Sequence, residues 1–129
     1  MAKVINKGVD QNIIVYDYIK DLGHSPTVII MPDKATFENA FERASDEWLF
    51  NLCVVVDTKA GDDLAQATLR DLCDGHGPNS IRRAIADDPR LGLPDVIATV
   101  YGLKGYSGKF PWNDMPHIGA ILLTKVRIV

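Results

Sequence analysis

The most regular pattern of apolar and polar positions in the chain lies near its C-terminal end, from Pro94 to Val129. After Asp95, Val96, Ala98 and Val100 alternate with Ile97, Thr99 and Tyr101, the two-residue period of a strand with two distinct faces. A second apolar segment, His117 to Val129, has no breaker after Gly119. Ile118, Ala120, Leu122, Val126 and Ile128 form its core face, and Lys125 and Arg127 share the opposite side with Ile121 and Leu123. The two segments predict a long C-terminal β-hairpin around a loop holding Gly105, Gly108, Pro111, Trp112, Met115 and Pro116. The second strand would run roughly 43 Å at about 3.3 Å per residue, longer than the core of a small domain requires. That excess predicts a surface for neighbours, including pairing at a strand edge.

The preceding elements follow from spacing and punctuation. Asp10 caps a predicted helix from Gln11, with Val15, Tyr18, Ile19 and Leu22 on one stripe and Gly23 as its stop. Thr27 to Met31 is a short β-branched run closed by Pro32, which predicts a strand of about five residues. Thr36 opens a predicted short helix with Phe37, Ala40, Phe41 and Ala44 on one face. Trp48 to Val56 is apolar on both faces and predicts a central strand. Asp62 and Asp63 favour the first turn of the next helix, whose predicted stripe is Leu64, Thr68, Leu69 and Leu72. Asp74-Gly75-His76-Gly77-Pro78 interrupts it, and a second helix from Asn79 to about Asp87 buries Ile81, Ala84 and Ile85 until Pro89 ends it. The predicted fold is α/β of the α+β type: a mixed, mainly antiparallel sheet flanked by helices.

Composition narrows the functional classes without choosing one. At 129 residues, 47% hydrophobic and 24% charged, the chain fits one domain spanning residues 1–129. No internal repeat or low-complexity linker divides it. A net charge of −3 gives no bulk attraction for nucleic acid. The N-terminus lacks a signal-peptide pattern, and no apolar run approaches the ~20 residues that span a bilayer, so no membrane partner and a cytoplasmic location are expected. Cys53 and Cys73 are expected to be small buried hydrophobes rather than a disulfide.

Candidate chemistry is sparse. Cys73 and His76 have metal-like spacing but no second pair, and Asp57, Asp62 and Asp63 lack the alternating ligand pattern of a calcium loop. Gly102 to Gly108 contains Lys104 and Ser107 but leaves a strand for a predicted loop, whereas a P-loop or nucleophile elbow must lead into a helix. No catalytic residue, metal ligand or cofactor is assigned. The aromatic residues Tyr106, Phe110 and Trp112, with Met115, crowd the expected hairpin loop and must fold back over the sheet or meet a partner.

From Phe50 to Val129 the order of features resembles the tail terminator proteins of long-tailed bacteriophages. The resemblance rests on a helix ending in Ala86-Asp87-Asp88-Pro89-Arg90-Leu91-Gly92 before a strand, then a hairpin with the Gly105-Tyr106-Ser107-Gly108 region. It closes with a last strand opening on Gly119-Ala120. It implies a structural virion protein that forms a homo-hexameric ring on the head-proximal end of the tail tube, stops tube growth and joins the tube to the head connector. Its partners would be itself, the tail tube protein and the connector or stopper protein, with DNA passing the lumen without sequence-specific binding. It would occupy the host cytoplasm during assembly and then the virion neck. In that setting Tyr106, Phe110, Trp112 and Met115 are assigned to inter-subunit or tail-tube contact, and Lys125 and Arg127 to the lumen or a partner. Two other readings stay open: another ring protein of the phage neck, such as a head-closure or adaptor component, and a small enzyme or ligand-binding protein using the Gly102–Gly108 stretch and His76.

Overall fold

The computed structural model describes residues 1–9, 14–16, 26–39, 44–57, 62–112 and 115–128. Its elements are helix α1 (Ala2–Gly8), strands β1 (Ile14–Tyr16), β2 (Thr27–Asn39) and β3 (Ala44–Asp57), helices α2 (Asp62–Cys73) and α3 (Ile81–Asp87), and strands β4 (Val96–Trp112) and β5 (Met115–Ile128). One five-stranded sheet has the order β1-β2-β3-β5-β4. Only the β1–β2 pair is parallel, and two antiparallel hairpins, β2–β3 and β4–β5, meet at the β3–β5 ladder. The expected class, a mainly antiparallel α+β sheet with a long C-terminal hairpin, is the fold observed.

β3 is the middle strand, as its two apolar faces require. Leu52, Val54 and Val56 point into the helix-covered core with Ala120, Leu122 and Val126 of β5. Cys53 and Val55 are buried on the opposite face. Against this sheet α2 buries Ala65, Leu69, Leu72 and Cys73, the i, i+4, i+7, i+8 stripe. The expected stripe is therefore rotated by about one residue: Leu64 is 58% exposed and Thr68 half-buried. α3 follows the break at Gly75–Pro78 and buries Ile81, Ala84 and Ile85 as expected. Its first turn is capped by Ser80, whose hydroxyl accepts from the Arg83 N–H at 3.0 Å.

Three sequence expectations give way to tertiary pairing. Ile14–Tyr16, inside the expected first helix, is a strand in register with Thr27–Ile29; the remainder of that helix, at residues 11–13 and 17–22, lies outside the described residues. The expected end of β2 at Pro32 is a bulge instead, with Asp33 as the extra residue, and the strand runs on to Asn39. Pro32 lies beyond the stretch paired with β1, where a missing N–H breaks no ladder on that side. The short helix expected from Thr36 is likewise strand: Thr36 faces Glu47 and Phe37 faces Asp46, while residues 40–43 lie outside the described residues. Here helical spacing of Phe37 and Ala44 loses to pairing with the long β3.

The unexpected helix is α1. Seven residues are too few to be stable alone, and its N-terminus has no side-chain cap. Its stability comes from docking: Ile5 is fully buried, and Gly8 lies so close to α3 that an added Cβ would stand 2.5 Å from the Ala84 Cβ. Arg83 of α3 holds the same junction. Its guanidinium donates to the Gly8 carbonyl at the end of α1, to the Gly77 and Pro78 carbonyls at 2.7 and 3.2 Å, and to the Asp87 carboxylate at 2.7 Å.

The longest strands outrun any one helix packed on them. β3 and β5, at 14 residues each, extend about 46 Å, whereas the 12 residues of α2 cover about 18 Å. The excess length of the last strand is thus not a free arm. β3 accompanies β5 from Ile128 to His117, and only Met115 and Pro116 of β5 pass beyond it.

Candidate interaction surfaces

The residues expected to form a hairpin loop instead continue the ribbon. Phe110 pairs with His117 and Trp112 with Met115, so the paired ribbon runs to Trp112 and Met115, and residues 113–114 lie outside the described residues. Tyr106 is 44% exposed, and the backbone of Phe110, Trp112 and Met115 lies at the same end of the ribbon. Gly102–Gly108 is likewise strand, deformed rather than looped. One extra residue enters β4 between Val100 and Gly102, and two more enter between Lys104 and Gly108, where Gly105 takes φ +64°.

Those bulges, with one further contact, guard the outer edge of the sheet. The Pro89 carbonyl accepts from the Ala98 N–H at 2.7 Å, occupying one of the outward donors in the regular part of β4. Beside it a cavity of about 290 Å³ separates β4 from Arg82, Ile85 and Ala86 on the α3 side. A strand from a neighbour would have to displace Pro89 and follow a kinked partner, so the β4 edge resists simple edge pairing.

Lys125 and Arg127 lie on the face away from the helices. Both approach Glu47 of β3, at 3.8 and 3.3 Å, and the Lys125 ammonium also stands 5.4 Å from the centre of the Tyr101 ring. Two cations share one carboxylate, which leaves a modest positive excess at this spot. Each exposed pair contributes only a few tenths of a kcal/mol to about 1 kcal/mol.

A broad opening lies on the helix side, toward the Trp48 end of β3. A groove of about 600 Å³ has Trp48, Phe50, Val126 and Ile128 as its floor, Leu91 and Leu93 as one wall, and Met1 and Lys3 of α1 at its rim. Trp48 stacks on Phe50 with ring centres 6.2 Å apart and meets Phe37 edge-on at 6.0 Å. Phe37 and Leu93 are 61% and 53% exposed. The Leu wall is held by an unusual turn: Leu91 and Gly92 have φ of +53° and +75°, and the Leu93 N–H donates to the Arg90 carbonyl at 2.8 Å. Glycine adopts such a conformation freely, but leucine does so at a conformational cost. The strained Leu91 packs partly buried against the core and places Leu93 at the mouth of the groove. These groove residues were not assigned from the sequence, where Phe37 and Phe50 read as core positions.

Candidate chemical groups remain dispersed. Cys73 is buried and its thiol is pushed up to about 11 by burial, with Arg82 opposing, whereas His76 is exposed. Burial also raises the Cys53 thiol, with Lys104 opposing. Among the described residues no three His, Cys, Asp or Glu side chains converge on a metal-sized site, and no helix is long and apolar enough to cross a membrane. No family model matches the sequence, and no curated protein matches it significantly.

Proposed function

We propose that the protein is a structural assembly component, a tail terminator that caps a phage tail tube as a homo-hexameric ring and joins it to the head connector. One observation carries the assembly part of this reading: large apolar side chains stand open in separate places. Phe37 and Leu93 flank the groove, Leu64 stands on α2, and Ile97, Tyr101, Leu103 and Tyr106 lie along β4. A ring subunit needs several such patches at once, two for its neighbours and others for tube and connector. The tail-specific part rests on the sequence resemblance over Phe50–Val129. Tyr106, Phe110, Trp112 and Met115 belong to the last part of β4 and the start of β5, and are assigned to the inter-subunit or tail-tube contact. Lys125 and Arg127 remain the assigned lumen- or partner-facing cations, now tempered by Glu47.

Imaging the purified protein alone and mixed with tail tubes tests the reading. Rings, or particles seated on one tube end, are the expected result. Monomers that ignore tubes at every concentration would rule it out.

A further inference from the structure

We propose that the apolar groove toward the Trp48 end of β3 receives the outer face of α2 from a second copy of the chain, with Leu64 as the inserted side chain. The proposal rests on the reading that the chain assembles with itself. Side-chain packing makes the contact; at the β4 edge the Pro89 carbonyl and the two bulges hinder strand addition.

Groove and ridge match in chemistry. Leu64 is 58% exposed and shares its helical stripe with Ala67, Thr68 and Asp71, a narrow apolar ridge ending in a carboxylate, with Asp63 beside it. The groove offers an aromatic and aliphatic floor, and among the described residues Lys3 is the one charged side chain in its lining. Seating Leu64 over Trp48 and Phe50 brings the acidic end of the ridge toward that cation, the helix-in-groove mode of recognition.

Leu64 is not part of the lining of its own subunit's groove. α2 follows the Asp57 end of β3, whereas the groove lies around Trp48, about 30 Å away along the strand. A ridge and a groove made of different residues of one subunit make a heterologous contact, which closes into a ring when the rotation between copies allows.

Thiol cross-linking between Leu64→Cys and Leu93→Cys chains provides the test. The native Cys53 and Cys73 are buried and react slowly with a short bismaleimide. A mixture of the two variants is expected to give at least tenfold more covalent dimer than either alone. Adding Lys3→Glu to the Leu93→Cys chain should lower that yield about threefold, and Asp71→Lys in the partner should restore it. Mixed yields equal to the single-variant controls overturn the docking. If wild-type rings persist in that case, the ring reading survives; if the wild type stays monomeric with and without tail tubes, the ring reading fails and the docking falls with it.

Discussion

Replacing Arg83 with methionine would remove a clamp while keeping most of the packing of its stem. The guanidinium binds carbonyls from two other segments, Gly8 at the end of α1 and Gly77 and Pro78 in the α2–α3 link, besides Asp87 on its own helix. A hydrogen bond to a charged donor contributes about 1.5–3 kcal/mol when shielded. The side chain is 31% exposed, so that range applies only to the part-buried Gly8 contact, and the exposed bonds contribute about 0.5 kcal/mol or less each. The expected loss is about 2–3 kcal/mol, and a Tm about 8–12 °C lower for a chain of this size. Thermal unfolding followed by circular dichroism reads the total, and amide exchange at Ile5 and Val9 reads the release of α1. Asp87→Asn is the control: it removes only the exposed i, i+4 pair and should lower Tm by about 1–2 °C. Arg83→Met melting within 1–2 °C of the wild type, with α1 amides equally protected, would refute the clamp.

Other substitutions probe separate features. Gly8→Ala should destabilise by about 2 kcal/mol because the new methyl meets Ala84 at 2.5 Å, and Ala84→Gly should recover part of the loss in urea unfolding. Failure of that second change to help would place the strain elsewhere. Thr124 is fully buried and its hydroxyl has no partner among the described residues, so Thr124→Val should raise stability by about 1 kcal/mol; a loss of that size would reveal a hidden bond. Cys73 predicts alkaline sensitivity. Its thiol ionises near 9 when unfolded but only near 11 when folded, so its stabilising preference for the protonated native state is present below pH 9 and lost as pH rises toward 11. The slope approaches about 1.4 kcal/mol per pH unit within that window, and Cys73→Ala should flatten the profile relative to the wild type.

The elements readable from sequence were those whose pattern is satisfied locally or by one dominant burial. Val96–Val100 and Ile118–Ile128 alternate cleanly because one side faces helices, and α3 announces itself through Pro78, the Ile81, Ala84 and Ile85 spacing, and Pro89. Errors clustered where a distant strand decides. Nothing near Thr36 tells the chain that Trp48, Glu47 and Asp46 will lie opposite it. Val15 fits a helical stripe equally well until its register with Val28 makes it strand. α1 escaped notice because its stability resides in the α3 contact. Of the surfaces, the aromatic ribbon end and the two cations were visible as residue types, whereas the groove was not. It forms where residues of α1, β3, β5 and the Leu91–Leu93 turn come together, a relation between distant segments that no single stretch records.

The bond from the Ala98 N–H to the Pro89 carbonyl also carries a consequence for biogenesis. The two hairpins are local and form early, but the β3–β5 ladder joins segments separated by the whole α2–α3 region and must form later. While α3 remains undocked, the donor on Ala98 is bare, beside exposed Ile97 and Tyr101 on the same strand. A nascent population at high concentration would therefore be most prone to aggregation during that interval, when one proline carbonyl has yet to close the edge.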